Sequence, residues 1–82
     1  MGKLEEAAQE YYRCLQFFRE IGGKSHMTTL LVRSALINEQ LGNRADALQY
    51  AHEALAWSHK LGLVQELEQA KVLIARLEPS AR

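Results

Sequence analysis

The 82-residue chain has one cysteine, Cys14, one proline, Pro79, and no excess of either charge, since ten Lys and Arg balance ten Asp and Glu. One thiol closes no internal disulfide, so a reducing, cytoplasmic compartment is the expected setting. Without a basic cluster, nothing here neutralises a row of phosphates or settles on an anionic membrane, and neither nucleic acid nor membrane is an expected partner. No apolar run approaches the roughly 20 residues needed to cross a bilayer. The opening MGKLEEAAQE is acidic and polar, unlike the basic segment and apolar core of a secretory leader. Runs that alternate β-branched and polar residues are missing, which argues against strands.

Alanine, leucine, glutamate and glutamine, all good helix formers, dominate what is present. Gly22-Gly23, Gly42 and Gly62 divide a single small domain into four helical segments, expected over 3–21, 25–41, 44–61 and 64–78. In the first, Leu4, Ala7, Tyr11, Cys14, Phe18 and Ile21 recur at steps of three and four, one stripe of an amphipathic helix. Tyr12 and Phe17 fall off that stripe and give the helix a second apolar side. Ser25 is the expected N-cap of the second segment. Its stripe of Met27, Leu30, Leu31, Ser34 and Leu41 is widened by Val32, Ala35, Leu36 and Ile37.

Gly42 suits the left-handed position that ends helices. Asn43 follows as the next N-cap, with Asp46 three residues on. The third segment carries Ala47, Ala51, Ala54 and Leu55, a stripe of mostly small residues that lets another helix approach closely. The fourth places Val64, Leu67, Ala70, Ile74 and Leu77 on one side and stops before Pro79. No Ser, Thr, Asp or Asn opens it, so fusion of the third and fourth segments into one rod is an alternative.

A shift of forty residues superposes the two halves. Gly2 falls on Gly42, Ala7 on Ala47, Leu15 on Leu55, Gly22 on Gly62 and Ala35 on Ala75. Tyr11 meets Ala51 and Cys14 meets Ala54, pairs compatible with the same buried side. A period in this range, with a helix pair as its unit, is the signature of an α-solenoid.

Gly42-Asn43, Ala47-Leu48, Tyr50-Ala51 and Ala54-Leu55, echoed by Gly2, Ala7, Tyr11 and Leu15, resemble the second half of a tetratricopeptide repeat. In that family a Gly-Asp turn precedes a helix whose alanines mark its contact with the first helix. The period of forty is similar to that of the long-helix variant in kinesin light chains and in sensor arms of bacterial regulatory ATPases, as are Ile21-Gly22 and Leu61-Gly62. Ser34, Asn38 and Leu31 depart from the family's usual Leu, Tyr and Trp, and no proline closes the repeat around His59.

The resemblance implies an all-α fold of antiparallel hairpins stacked as a solenoid fragment. Its concave face would be lined by the first helices: Thr29, Val32, Arg33, Leu36, Glu39 and Gln40 from one, Gln69, Val72, Leu73 and Arg76 from the other. Val32 and Leu36 occupy the places where chaperone-binding members carry a Lys and Asn carboxylate clamp. An apolar groove of this kind suits an amphipathic helix or an extended peptide. One full repeat, 25–61, lies between two unpaired helices, whereas about three repeats are generally needed for stability. The expectation is therefore either self-association, with Tyr12, Phe17, Trp57 and Ile74 as candidates, or membership of a longer solenoid.

Other constellations point to no chemistry. Cys14 reads as a core thiol, because no base is tied to it. His52 and His59 are seven apart, whereas zinc takes three or four ligands; His26 stands alone. His59 and Lys60 are better placed to offset a helix C-terminal dipole. Gly22-Gly23-Lys24-Ser25 lacks the strand and first glycine of a phosphate loop. The expected function is a protein-interaction module without catalysis, cofactor or metal. A DNA-binding helix-turn-helix is the alternative, although its recognition helix would offer Gln49, His52 and Glu53.

Overall fold

Three glycines with left-handed backbone, Gly22 (φ 81°), Gly42 (φ 81°) and Gly62 (φ 71°), recur at intervals of twenty residues and reverse the chain each time. After each, the next amide donates to the carbonyl five residues back: Gly23 to Phe18 (3.1 Å), Asn43 to Asn38 (2.8 Å) and Leu63 to Ser58 (2.9 Å). This is the Schellman closure, which satisfies carbonyls left over at a helix end and disfavours a side chain at the left-handed position. The computed structural model describes residues 2–78. The three turns separate α1 (Lys3–Ile21), α2 (Lys24–Gln40), α3 (Arg44–Leu61) and α4 (Val64–Leu77), and no strand occurs among the described residues.

Two expected caps are corrected. The first turn is so short that α2 resumes at Lys24, with Gly23 at the cap position. Ser25 thus lies inside the first turn, where its carbonyl accepts from Thr29 Oγ1 at 3.3 Å. Asn43 does occupy the cap of α3, but its side chain makes no capping bond. Its Nδ2 instead donates to Asn38 Oδ1 across the turn (3.2 Å). Gly62 keeps α3 and α4 as separate helices, so the fused rod is not what forms. Pro79, expected to stop the last helix, lies outside the described residues; α4 ends at Leu77 with Glu78 as its cap.

Consecutive helices pack as hairpins, and α2 also touches α4. The Cα trace measures 37 × 35 × 16 Å, a slab rather than a ball. Its core is Leu15 from α1, Met27, Leu31, Val32 and Ala35 from α2, Ala47, Ala51 and Ala54 from α3, and Ala70, Leu73 and Leu77 from α4. The three α3 alanines and Ala35 are fully buried, which fits a seam where small side chains let two helices close up. Each large core side chain contributes roughly 1.5–3 kcal/mol through burial. Buried Thr28, Ser58 and Asn38 satisfy themselves on carbonyls of their own helices, at Lys24, Ala54 and Ser34.

The two halves of the repeat are not equally covered. Ala47, Ala51 and Ala54 are 0% exposed, yet their counterparts Ala7, Tyr11 and Cys14 are half-buried. Cys14 is therefore not the core thiol its position predicts. α3 lies between α2 and α4, whereas α1 packs on α2, through Leu15, and reaches α3 by the Arg19 side chain. Leu4 and Ile21, at the ends of the α1 stripe, are exposed for the same reason, as is Val64 at the start of α4.

Candidate functional site

α2 and α4 run in the same direction at a constant offset. Thr29 Oγ1 donates to Glu66 Oε2 (3.1 Å), and Arg76 grips Glu39 through Nε and Nη2 at 2.7 Å each. Both links join residues 37 apart, and they stand about 15 Å apart along the helices. Between these two rungs lies a trough. A cleft of about 460 Å³ has Thr29, Val32, Arg33 and Leu36 on one side and Gln65, Glu66 and Gln69 on the other. It runs on, through Leu36 and Gln69, into a smaller cleft of about 240 Å³ bounded by Val72, Leu73 and Arg76.

The structure thus brings Thr29, Val32, Arg33, Leu36, Glu39, Gln69, Val72 and Arg76 to one surface. Val32, only 3% exposed, forms its floor; Leu36 and Val72, 39% and 56% exposed, form apolar walls. The Arg76 guanidinium holds the Glu39 carboxyl below the usual carboxylate range, and Glu39 raises the arginine in turn, both chiefly through their hydrogen bonds. Arg33 is exposed on the wall and makes no ion pair among the described residues.

Some lining residues escape a reading of the sequence. Tyr11 of α1 closes one end of the larger cleft. A large ring standing where the other half has Ala51 was the available signal. The equal spacing of Thr29–Glu66 and Glu39–Arg76, three short of the repeat, was another.

The four residues expected to mediate self-association differ in access. Tyr12 and Phe17 are 55% and 56% exposed on α1. Trp57 is half-buried, with Lys24 Nζ and Lys60 Nζ 5.0 and 5.3 Å from its ring. Ile74 is half-buried against the core. Phe17 meets Phe18 edge to face, and Phe18 stacks on His26 with ring centroids 5.2 Å apart.

A second, more apolar cleft of about 650 Å³ lies between α3 and α4, over Leu55, Ala56 and Leu67, with His52, His59, Lys60 and Lys71 around it. His52 Nε2 lies 3.0 Å from Glu78 Oε2. Across the slab, Arg19 of α1 makes a two-pronged bond to Glu53 of α3 (2.6 and 2.9 Å). That bond raises the arginine, while burial, followed by Asp46, raises the Tyr50 hydroxyl beside it. Among the described residues no group of three His, Cys, Asp or Glu could hold a metal ion, and no helix is long and apolar enough to cross a membrane.

No protein-family model matches the chain, and neither a curated protein nor a solved structure shows significant similarity to it.

Proposed function

We propose that the chain is a protein-interaction module of tetratricopeptide-like build, whose α2–α4 trough receives a peptide segment of a partner. The observation that carries this reading is the continuity of the trough. Apolar walls at Leu36 and Val72 run between two polar rungs, over a floor that is already packed. An extended or helical segment presenting a row of apolar side chains fits such a surface. An acidic side chain of that segment would find the guanidinium of Arg33.

The DNA-binding alternative has less support, because its recognition helix would offer Gln49, His52 and Glu53 rather than a row of basic side chains. A gel shift that appears at low salt and weakens steeply as salt rises would reverse this ordering.

The direct experiment is display selection of random peptides on the folded chain, followed by amide-shift mapping. Selected peptides should perturb Thr29, Arg33, Leu36, Gln69 and Val72, and should bind a Leu36→Glu/Val72→Glu variant at least tenfold more weakly, roughly the loss of 1.4 kcal/mol. Peptides that bind that variant unchanged would place recognition elsewhere.

A further inference from the structure

We propose that the cleft between α3 and α4 is the seat of α1 from a second copy of this chain, so that copies join head to tail in the register of their own internal repeat. The inference rests on the forty-residue period and on the α3–α4 cleft, not on the α2–α4 trough.

The first half of the molecule supplies the template. Shifted back by forty, the cleft residues Leu55, Leu67 and Lys71 become Leu15, Met27 and Leu31. Those three are 1%, 2% and 0% exposed, where α3 packs on α2 and is tied to α1 by Arg19 and Glu53. In the second half Leu55 and Leu67 are half-buried and Lys71 is exposed. Ala75 is exposed as well, although its counterpart Ala35 is 0% exposed. Among the described residues, no helix takes here the place that α3 takes in the first half.

The chain carries such a helix at its other end. α1 is the repeat counterpart of α3, and its Ala7, Tyr11 and Cys14 are half-buried where Ala47, Ala51 and Ala54 are sealed. The open side of α1 and the open cleft are the two halves of one seam.

Charge is close to balanced on the incoming helix, so the fit rests on the shape of the seam. The cleft is bordered by His52, His59, Lys60 and Lys71, while α1 carries Glu5, Glu6, Glu10 and Glu20 against Lys3, Arg13 and Arg19. In the first half, the polar link at this seam is the pair Arg19–Glu53. The shift puts Glu10 of the incoming α1 in the place of Tyr50, and His52 and His59 in the places of Tyr12 and Arg19. Arg13 falls opposite His59 in this register, where the first half has the Glu53–Arg19 pair, so that link is not repeated at the new seam. Lys71 replaces a buried leucine and reaches along the seam with its aliphatic stem, leaving its ammonium at the edge. Such a contact is heterologous and builds a ring or an open row rather than a symmetric dimer.

Sedimentation equilibrium tests this with two variants. Ala75→Glu puts a charge at the place that buried Ala35 holds in the first half, at a position exposed in the single chain, and Cys14→Glu puts one on the open side of α1. The unmodified chain should show a mass that climbs above 9.3 kDa as concentration rises. Each variant alone should stay at the single-chain mass. An equimolar mixture should form a species of twice that mass and no larger, because one intact seat then meets one intact α1. If circular dichroism shows that Cys14→Glu has lost helix, Ala7→Glu takes its place on the same side. An unmodified chain that stays single at every concentration overturns the proposal. So does a mixture that fails to pair, or either variant alone still forming dimers, which would identify a symmetric contact instead.

Discussion

Leu31→Ala and Leu36→Ala remove the same atoms from two leucines five residues apart on one helix, with expected costs that differ severalfold. Leu31 is 0% exposed in the core, whereas Leu36 is 39% exposed on the wall of the trough. Truncating a sealed leucine costs the transfer free energy plus the cavity left behind, about 2–5 kcal/mol. At roughly 0.05–0.15 kcal/mol per residue, a chain of this size has about 4–12 kcal/mol in total. Leu31→Ala therefore removes from about a sixth to all of its stability. With a middle cost of about 3 kcal/mol, the melting temperature should fall by roughly 12–24 °C. Leu36→Ala leaves no closed cavity and should cost about 1 kcal/mol or less. Thermal melts by circular dichroism at low concentration, with urea titration to give free energies, measure both. Equal losses, or a larger loss for Leu36→Ala, would mean that α2 presents a different side to the core, and the trough would lose its apolar wall.

Ala54→Glu buries a carboxylate in the α2–α3 seam, where the alanine is 0% exposed, and should cost about 3 kcal/mol or more; an unchanged melt would show that the seam lies elsewhere. Gly42→Ala meets no neighbour within 4 Å, so its expected loss of about 1 kcal/mol is wholly the left-handed backbone, and Gly2→Ala, at φ −96°, should cost nothing measurable in the same urea titration. The pH dependence follows from Glu39, whose folded carboxyl is held down by Arg76. Its contribution should be full above the ordinary carboxylate range and disappear as acid takes the pH down through the lowered value. The gap in urea midpoint between the unmodified chain and Glu39→Gln should accordingly be present at neutral pH and close in acid; a gap independent of pH would refute the link.

The helices and their reversals were legible because they are written locally: Gly22, Gly42 and Gly62 sit where only a left-handed residue closes the turn. The side that carries Leu36 and Arg76 came from the resemblance to tetratricopeptide repeats, and the structure places both residues along one trough. The facing of α2 was harder to read. Val32, Ala35, Leu36 and Ile37 make that helix apolar nearly all round, and its central place against three other helices explains why. Leu73 shows the same limit on α4, assigned to the groove by its position yet 2% exposed beneath it. Cys14 failed for a different reason: its pattern is that of a buried residue, but the helix that would bury it is not among those described. Ser25 lost its cap because a two-glycine turn left no room for it.

Equal intervals between the three reversals carry a constraint on how this molecule can change length. Each residue turns the backbone by about 100° about the helix axis, so losing one position inside α3 would swing the next reversal by that angle. α4 would then leave at a new azimuth, carrying Val72 away from Leu36 and parting Arg76 from Glu39. Insertions of whole hairpin units keep the phase and leave every existing pairing intact. Growth and loss in this architecture are therefore quantised, tolerated in steps of a full helix pair and punished at one residue.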